Sequence, residues 1–239
     1  MFGTKHKIRS VKKLIIVAAG KGGVGKSTIS VLLAKQLQAK NYKVGILDAD
    51  IYGPSIPTIL NITKTILNTE NNNFIPIDIS GISVMSIGFL LEPQSALVWR
   101  GPMLSKALNQ LLFSTNWKDL DYLIIDTPPG TGDIHISIIQ KCDIDGAIIV
   151  TTPDRVAIVD VERAIDLYKK TNIPIYGIIE NMSYINFGSE KQEIFGTGGA
   201  ELIARNTGLR ILAKLPLIPN LADNIDYYKL KELDIPLQL

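Results

Sequence analysis

Nine consecutive residues, Gly20-Lys-Gly-Gly-Val-Gly-Lys-Ser-Thr28, carry the densest chemistry in the chain. Gly20, Gly22, Gly23 and Gly25 lack Cβ atoms, so successive amide N–H groups can turn inward around a phosphate. Val24 and Thr28 belong to the same cradle. Lys26 adds a point charge for β- and γ-phosphate oxygens, and Ser27 offers a hydroxyl to the Mg2+ that bridges them. The apolar run Leu14 to Ala19 leads in, and a half-buried helical pattern leads out, its positive end aimed at the anion. Strand, glycine-rich loop and helix in that order predict a site for a nucleoside triphosphate with Mg2+.

Further carboxylates fall where such a site needs them. The apolar segment Leu120 to Ile125 ends in Asp126, placed to hold Mg2+ directly or through a water, and Thr127-Pro-Pro-Gly130 follows as a stiff loop suited to sensing a γ-phosphate. Val44 to Leu47 ends in Asp48-Ala-Asp50. Two carboxylates at spacing two on extended chain share a face, so both can approach the same metal–phosphate region. For Asp48 a second role stays open, the capping of the turn that follows. Ile178-Ile-Glu-Asn181 ends another apolar segment, and an Asn amide can both donate to and accept from an adenine edge, or serve a turn.

The elements that must position these residues are legible as a pattern. Apolar β-rich segments recur at Leu14 to Ala19, Val44 to Leu47, Tyr122 to Ile125, Ala147 to Thr151, Ile175 to Ile179 and Arg210 to Leu215. Helical periodicity separates most of them, at Ser27 to Ala39, Met103 to Phe113, Ile134 to Lys141, Val156 to Thr171 and Ala200 to Asn206. Continuous apolar strands alternating with helices predict an α/β fold, a mostly parallel sheet with helices on both faces and its site at the carboxyl strand ends. Lys64 to Phe89 alternates polar and apolar residues around Asn71 to Asn73 and Gly81, which predicts a short antiparallel excursion from that sheet.

With 239 residues and 46% hydrophobic content, the chain is long enough for one such domain, preceded by a basic lead-in over residues 1 to 12. A net charge of +2 gives no electrostatic case for nucleic acid or an anionic membrane. Lys5, Lys7, Arg9, Lys12 and Lys13 read as a solvated approach to the first strand. No apolar run nears the roughly 20 residues of a membrane span, and Met1 to Ser10 lacks the apolar segment of a secretory signal, so a cytoplasmic location is expected. Tyr227 to Leu239, with Glu232, Asp234 and Pro236, does not read as a basic amphipathic membrane helix. The single cysteine, Cys142, excludes an intramolecular disulfide framework within this sequence.

Lys21, one residue into the loop, gives Gly-Lys-Gly-Gly-Val-Gly-Lys-Ser a second lysine, and this resembles the deviant Walker A motif of the MinD/ParA group of dimerising ATPases. The resemblance implies that Lys21 reaches a partner's phosphates, hence a homodimer with ATP between subunits; a solvated loop lysine is the plainer reading. It further implies that Asp50 orients or deprotonates the attacking water, that Asp48 supports the loop and metal shell, that Gly130 N–H meets the γ-phosphate, and that Asn181 contacts adenine beneath a loop at Pro216 to Pro219.

Longer blocks narrow the resemblance. Asp48-Ala-Asp-Ile-Tyr-Gly-Pro-Ser55, Trp99-Arg-Gly-Pro-Met103, Asp126-Thr-Pro-Pro-Gly-Thr-Gly-Asp133, Thr151-Thr-Pro153 with Val156-Ala157, Glu180-Asn-Met-Ser-Tyr184 and Phe195-Gly-Thr-Gly-Gly-Ala200 look like the Mrp/Nbp35 family of ATP-binding iron-sulfur cluster carriers, in the family's order. That likeness implies a slow, dimer-dependent ATPase that passes clusters to apoprotein clients or works with cluster-assembly proteins. Bacterial relatives also often have an N-terminal accessory domain, for which Met1 to Lys13 gives no room. The departure lies after Tyr184, where carriers usually have a Cys-x-x-Cys so that two subunits supply four thiolates. Here the chain reads Ile185-Asn-Phe-Gly-Ser-Glu-Lys-Gln-Glu-Ile194, and Cys142 reads as a buried helix end. ATP chemistry therefore rests on residues present, and cluster carriage on resemblance. A dimerising switch that binds a partner or surface, and a relative that binds ATP only structurally, are the competing expectations.

Overall fold

The computed structural model describes residues 5–63, 67–90, 101–155, 158–188 and 190–218. Of the sequence blocks above, Met1 to Thr4, Lys64 to Ile66, Trp99-Arg100, Val156-Ala157, Pro219 and Tyr227 to Leu239 lie outside the described residues. The chain runs β1 (Val11–Ala19), α1 (Lys26–Ala39), β2 (Val44–Asp48), α2 (Ile56–Ile59), β3 (Thr69–Glu70), β4 (Asn73–Phe74), β5 (Ile77–Ile79), β6 (Ile82–Ser86), α3 (Gly101–Phe113), β7 (Leu120–Asp126), α4 (Asp133–Lys141), β8 (Gly146–Thr151), α5 (Ile158–Lys170), β9 (Ile175–Phe187), β10 (Glu190–Gln192), α6 (Gly199–Thr207) and β11 (Ile211–Pro216).

Nine strands form one sheet in the order β10-β9-β8-β1-β7-β2-β6-β5, with β11 also paired to β9. Every pairing among β1, β2, β6, β7, β8, β9 and β11 is parallel. Side-chain alternation then builds two cores. Ile15, Val17 and Ala19 of β1 pack with Ile29, Leu33 and Leu37 of α1 on one face, while Leu14, Ile16 and Ala18 pack with residues of α3, α4, α5 and α6 on the other. Each aliphatic side chain so enclosed contributes roughly 1.5–3 kcal/mol, and the central strands are buried throughout. Among the described residues no helix is long and apolar enough to cross a membrane.

The expected antiparallel excursion is only partly antiparallel. β3 and β4 form a separate hairpin, with Asn71 and Asn72 at φ 51° and 63° in its turn, and β5 runs antiparallel to β6. But β6 returns to the main sheet, parallel to β2 from Val44–Ile82 to Asp48–Ser86. Its serines suggest a half-exposed strand, yet Ser86 is small enough to be buried and hydrogen-bonded. The basic lead-in is tied down as well. His6 N–H donates to the Lys141 carbonyl at 2.7 Å, Ile8 is buried, and Val11 and Lys12 already belong to β1.

One polar pair is buried in the core between α4 and α5. The His135 and Tyr168 ring centroids lie 6.3 Å apart, and both imidazole nitrogens and the Tyr168 hydroxyl lack hydrogen-bond partners among the described residues. Burial, followed by the charge of Lys26, pushes the His135 pKa down to about 4. The native ring therefore stays neutral where the unfolded ring is protonated, so its stability contribution is whole above about pH 6.5 and is lost as the pH falls toward 4. Thermal unfolding of ligand-free protein should show this acid-side loss, up to about 3 kcal/mol. His135→Leu should flatten it and raise Tm at pH 5 more than at pH 8.

Candidate nucleotide site

The loop from Gly20 to Gly25 leaves the carboxyl end of β1 and enters α1, so its backbone lies over the centre of the sheet. Gly25 precedes α1 without a side-chain cap, and the first turn of α1 contains no acid. Its leading N–H groups and positive end therefore face the adjoining cavity without competition from a built-in anion. That cavity, about 590 Å3, is walled by Lys21, Gly22, Gly23, Gly25, Lys26, Ser27 and Thr28, with Asp50, Gly53 to Ser55, Thr58, Ile59 and Pro129 opposite. Its size falls within the roughly 300–1,000 Å3 of small-molecule clefts.

Behind the wall, Asp126 gathers the loop. Its Oδ1 accepts from Lys26 Nζ at 2.7 Å and Ser30 Oγ at 2.8 Å, and its Oδ2 accepts from Ser27 Oγ at 2.6 Å. Lys26 is 6% exposed and Asp126 fully buried, so the desolvation of this pair is offset only because the carboxylate is saturated with donors. Lys26 Nζ is also 3.8 Å from Asp50 Oδ2, while Asp50 Oδ1 is buried without a partner among the described residues. Burial raises the Asp50 pKa against the opposing charge of Lys26. Ser27 and Asp50 line the cavity and Asp126 stands behind them, bound to Lys26, Ser27 and Ser30, so Mg2+, which takes oxygen ligands, could reach Asp126 only if those bonds were exchanged.

Other residues in the expected site stand one layer back. Asp48 is fully buried; its Oδ1 accepts from Asp50 N–H at 3.1 Å, and its Oδ2 accepts from Ile56 N–H and Ser86 Oγ. Burial first, then the nearby Asp126, raises its pKa to about 8. Both oxygens are thus engaged in holding the Asp50–Ile56 loop, the turn-anchoring alternative. Gly130 N–H donates to the Ala19 carbonyl at 2.8 Å, so it is not presented to a phosphate in this state. Asn181 Nδ2 donates to the Val24 carbonyl at 2.9 Å, and neither residue walls the cavity. Gly20 also lies outside the wall; a Cβ there would collide with the Asp160–Val161 backbone in the first turn of α5. Lys21 stands half exposed at the mouth, its Nζ 3.9 Å from Asp154.

Three participants escape a motif search. Ser30 sits four residues beyond Lys26 on the inner face of α1, a buried hydroxyl in an apolar stripe, and that misplacement is its only signal. Ser86 gives none. Glu180 is buried, accepts from Ala200 N–H at 2.9 Å at the start of α6 and lies 3.3 Å from Lys214. Lys214 also pairs with Glu201.

A glycine-rich cradle at a helix N-terminus, open to a cavity and bonded from behind to an aspartate on the neighbouring parallel strand, defines a P-loop NTPase. A family model described as the NUBPL iron-transfer P-loop NTPase, of the ParA group, matches residues 10–234, and the chain belongs to that family. It is 51% identical over 222 residues to an iron-sulfur cluster carrier protein of Rickettsia felis, covering 93% of this chain and 67% of that protein. It is 47% identical to one from Escherichia coli, covering 92% of this chain and 60% of that protein. The chain thus spans about two thirds or less of these relatives' length. A nucleotide-binding protein of Archaeoglobus fulgidus solved with ADP matches with a TM-score of 0.79 and 35% identity, over 95% of this chain and 88% of that one. The septum site-determining protein MinD of Pyrococcus horikoshii matches with a TM-score of 0.66 and 19% identity, over 93% and 90%, a likeness of fold.

The segment after Tyr184 extends β9 to Phe187, well past the expected end at Ile179, and turns back into β10, with Lys191 paired to Asn186. Cys142 follows α4, fully buried, and burial pushes its thiol up to about 12. A neutral, enclosed thiol is neither a nucleophile nor a metal ligand. Native protein at pH 8 should therefore show almost no reaction with a chromogenic disulfide reagent, and one thiol per chain should appear on adding denaturant. Rapid labelling of the native state would contradict this placement.

Proposed function

We propose that the protein is a slow, dimer-dependent ATPase of iron-sulfur cluster transfer, working in the cytoplasm, which binds ATP between two copies and passes clusters to apoprotein clients with thiolates supplied from outside this sequence. The arrangement of Lys26, Ser27 and Asp50 at the cavity with Asp126 behind them supports the ATPase, and the family supports the cargo. The absence of the Cys-x-x-Cys pair, with Cys142 enclosed, supports external thiolates.

In the resting state the Asp126 carboxylate neutralises Lys26. An entering triphosphate competes for that ammonium, which shifts toward the β- and γ-oxygens while the loop N–H groups surround the β-phosphate. Ser27 and Asp126 would hold Mg2+, directly or through a water, and the ion would neutralise charge on the bridged phosphate oxygens. Asp50, with one oxygen unpartnered and its basicity raised by burial, accepts a proton from water as the water oxygen bonds to the γ-phosphorus. The bond to the β–γ bridging oxygen breaks, and ADP and phosphate leave. Asp48 acts indirectly, by fixing the loop that carries Asp50. Gly130 N–H reaches a γ-phosphate only after exchanging its bond to Ala19, which makes that bond the resting latch of the loop. Lys21, at the mouth, reaches the phosphates of the second copy.

Lys26→Ala should weaken ATP binding by at least about 100-fold in calorimetry, the order expected for a lost buried phosphate contact. Asp50→Asn should leave binding within a few-fold and lower turnover at least about 100-fold. Lys21→Ala should bind ATP yet fail to dimerise with it in light scattering; parental dimerisation and turnover would refute the role given to the second lysine. Anaerobic incubation of the protein alone with iron and sulfide, followed by desalting, should leave no bound iron. A stable cluster at one per dimer would overturn external ligation.

A further inference from the structure

β9 contains a distortion beside the loop. Its pairing with β11 passes from Glu180–Lys214 to Tyr184–Pro216, so residues 181 to 183 of β9 stand opposite Leu215 alone. At the centre of this bulge Met182 has φ 58°, a left-handed conformation uncommon for a residue with a long side chain. The bulge is held from both sides. Ser183 Oγ lies 2.9 Å from both the Glu180 carbonyl oxygen and Glu180 Oε1, and Glu180 Oε2 accepts from Ala200 N–H. Strain at a held position is a sign that the neighbouring side chain has been aimed.

That neighbour is Asn181. It is 8% exposed, and its Nδ2 donates to the Val24 carbonyl at 2.9 Å. Val24 lies between Gly23 and Gly25, both at φ 81°. Left-handed glycines flanking one ordinary residue form the alternation that lets successive N–H groups converge on an anion. In a trans peptide the carbonyl of Val24 and the N–H of Gly25 point to opposite sides. A bond that fixes the carbonyl toward Asn181 therefore fixes the Gly25 N–H away from it. Gly25 walls the phosphate cavity, whereas Asn181 and Val24 do not. The contact is close enough that a Cβ on Gly25 would collide with Asn181 Nδ2.

We infer that Asn181 is a positioning residue for the phosphate cradle, holding the Val24–Gly25 peptide so that its N–H faces the anion. This rests on the nucleotide reading and differs from adenine recognition by Asn181, because the amide acts through the loop backbone and its effect does not require a base.

Inorganic tripolyphosphate, which has neither base nor sugar, separates the two. Asn181→Leu keeps the side chain's approximate volume and removes the donor. It should weaken tripolyphosphate, ATP and GTP alike by about tenfold in calorimetry, the factor for one lost hydrogen bond that orders a site. Loss of ATP affinity with tripolyphosphate unchanged would assign Asn181 to the base and overturn the inference, as would a lowered Tm with every affinity unchanged. If the parent binds none of the three, the nucleotide reading itself fails. Should the variant not fold, a crystal structure of the parent with tripolyphosphate and another with ATP decide the matter. Asn181 Nδ2 should remain on the Val24 carbonyl in both, and its departure to the adenine with ATP would overturn the proposal.

Discussion

The buried carboxylate of Asp126 is the constraint on which the site depends. It ends β7, which lies between β1 and β2, with Val17 on one side and Asp48 on the other. A full charge at that position tolerates burial only with charged and hydroxyl donors on both oxygens. Lys26, Ser27 and Ser30 provide them, all from the first turns of α1. The glycine-rich loop, the helix and the central strand are therefore fastened at one point. A shift of β7 by one residue would turn Asp126 to the opposite face and leave Lys26 with only the more distant Asp50 as counter-charge.

From that point the restraints spread along the carboxyl edge of the sheet. Asp48 ties β2 to the loop bearing Asp50 and to the end of β6. Ala49 N–H donates to the Asp126 carbonyl at 2.8 Å, and Gly130 N–H reaches back to Ala19. On the other flank β9 presents Asn181 to Val24, while Glu180 secures the start of α6. The same strand then continues past Tyr184 into its antiparallel pairing with β10. Phosphate handling and the segment after Tyr184 thus share one strand, although that segment has no thiolates of its own.

The phosphate loop, Asp126 and the main order of strands and helices could be read because each depends on local chemistry. Glycines followed by Lys26 and Ser27 specify a cradle, and long apolar runs such as Leu120 to Ile125 specify buried parallel strands. Other features have little local signature. Ile82 to Ser86 has the alternation of an edge hairpin, yet it completes the main sheet because a buried serine finds Asp48. β9 continues eight residues past Ile179 because its partners, β11 and β10, come from later in the chain. The partners of Ser30 and Glu180 lie far along the chain, so only the fold shows what they hold.

The sequence by itself determined the kind of ligand this chain is built for and the type of sheet that presents it, since glycine spacing, a lysine and the period of apolar residues act within a few residues. Only the tertiary structure decided which groups the aspartates and Asn181 bond. Asp48 holds the loop because the nearby Asp50 and Ile56 N–H groups and the distant Ser86 hydroxyl converge on it, Asp50 Oδ1 has no partner among the described residues, and Asn181 faces the Val24 carbonyl beside a bulge in β9. Contacts such as Ser86 with Asp48 and Asn181 with Val24 join residues about 40 and about 160 positions apart, and such pairing is a property of the folded chain.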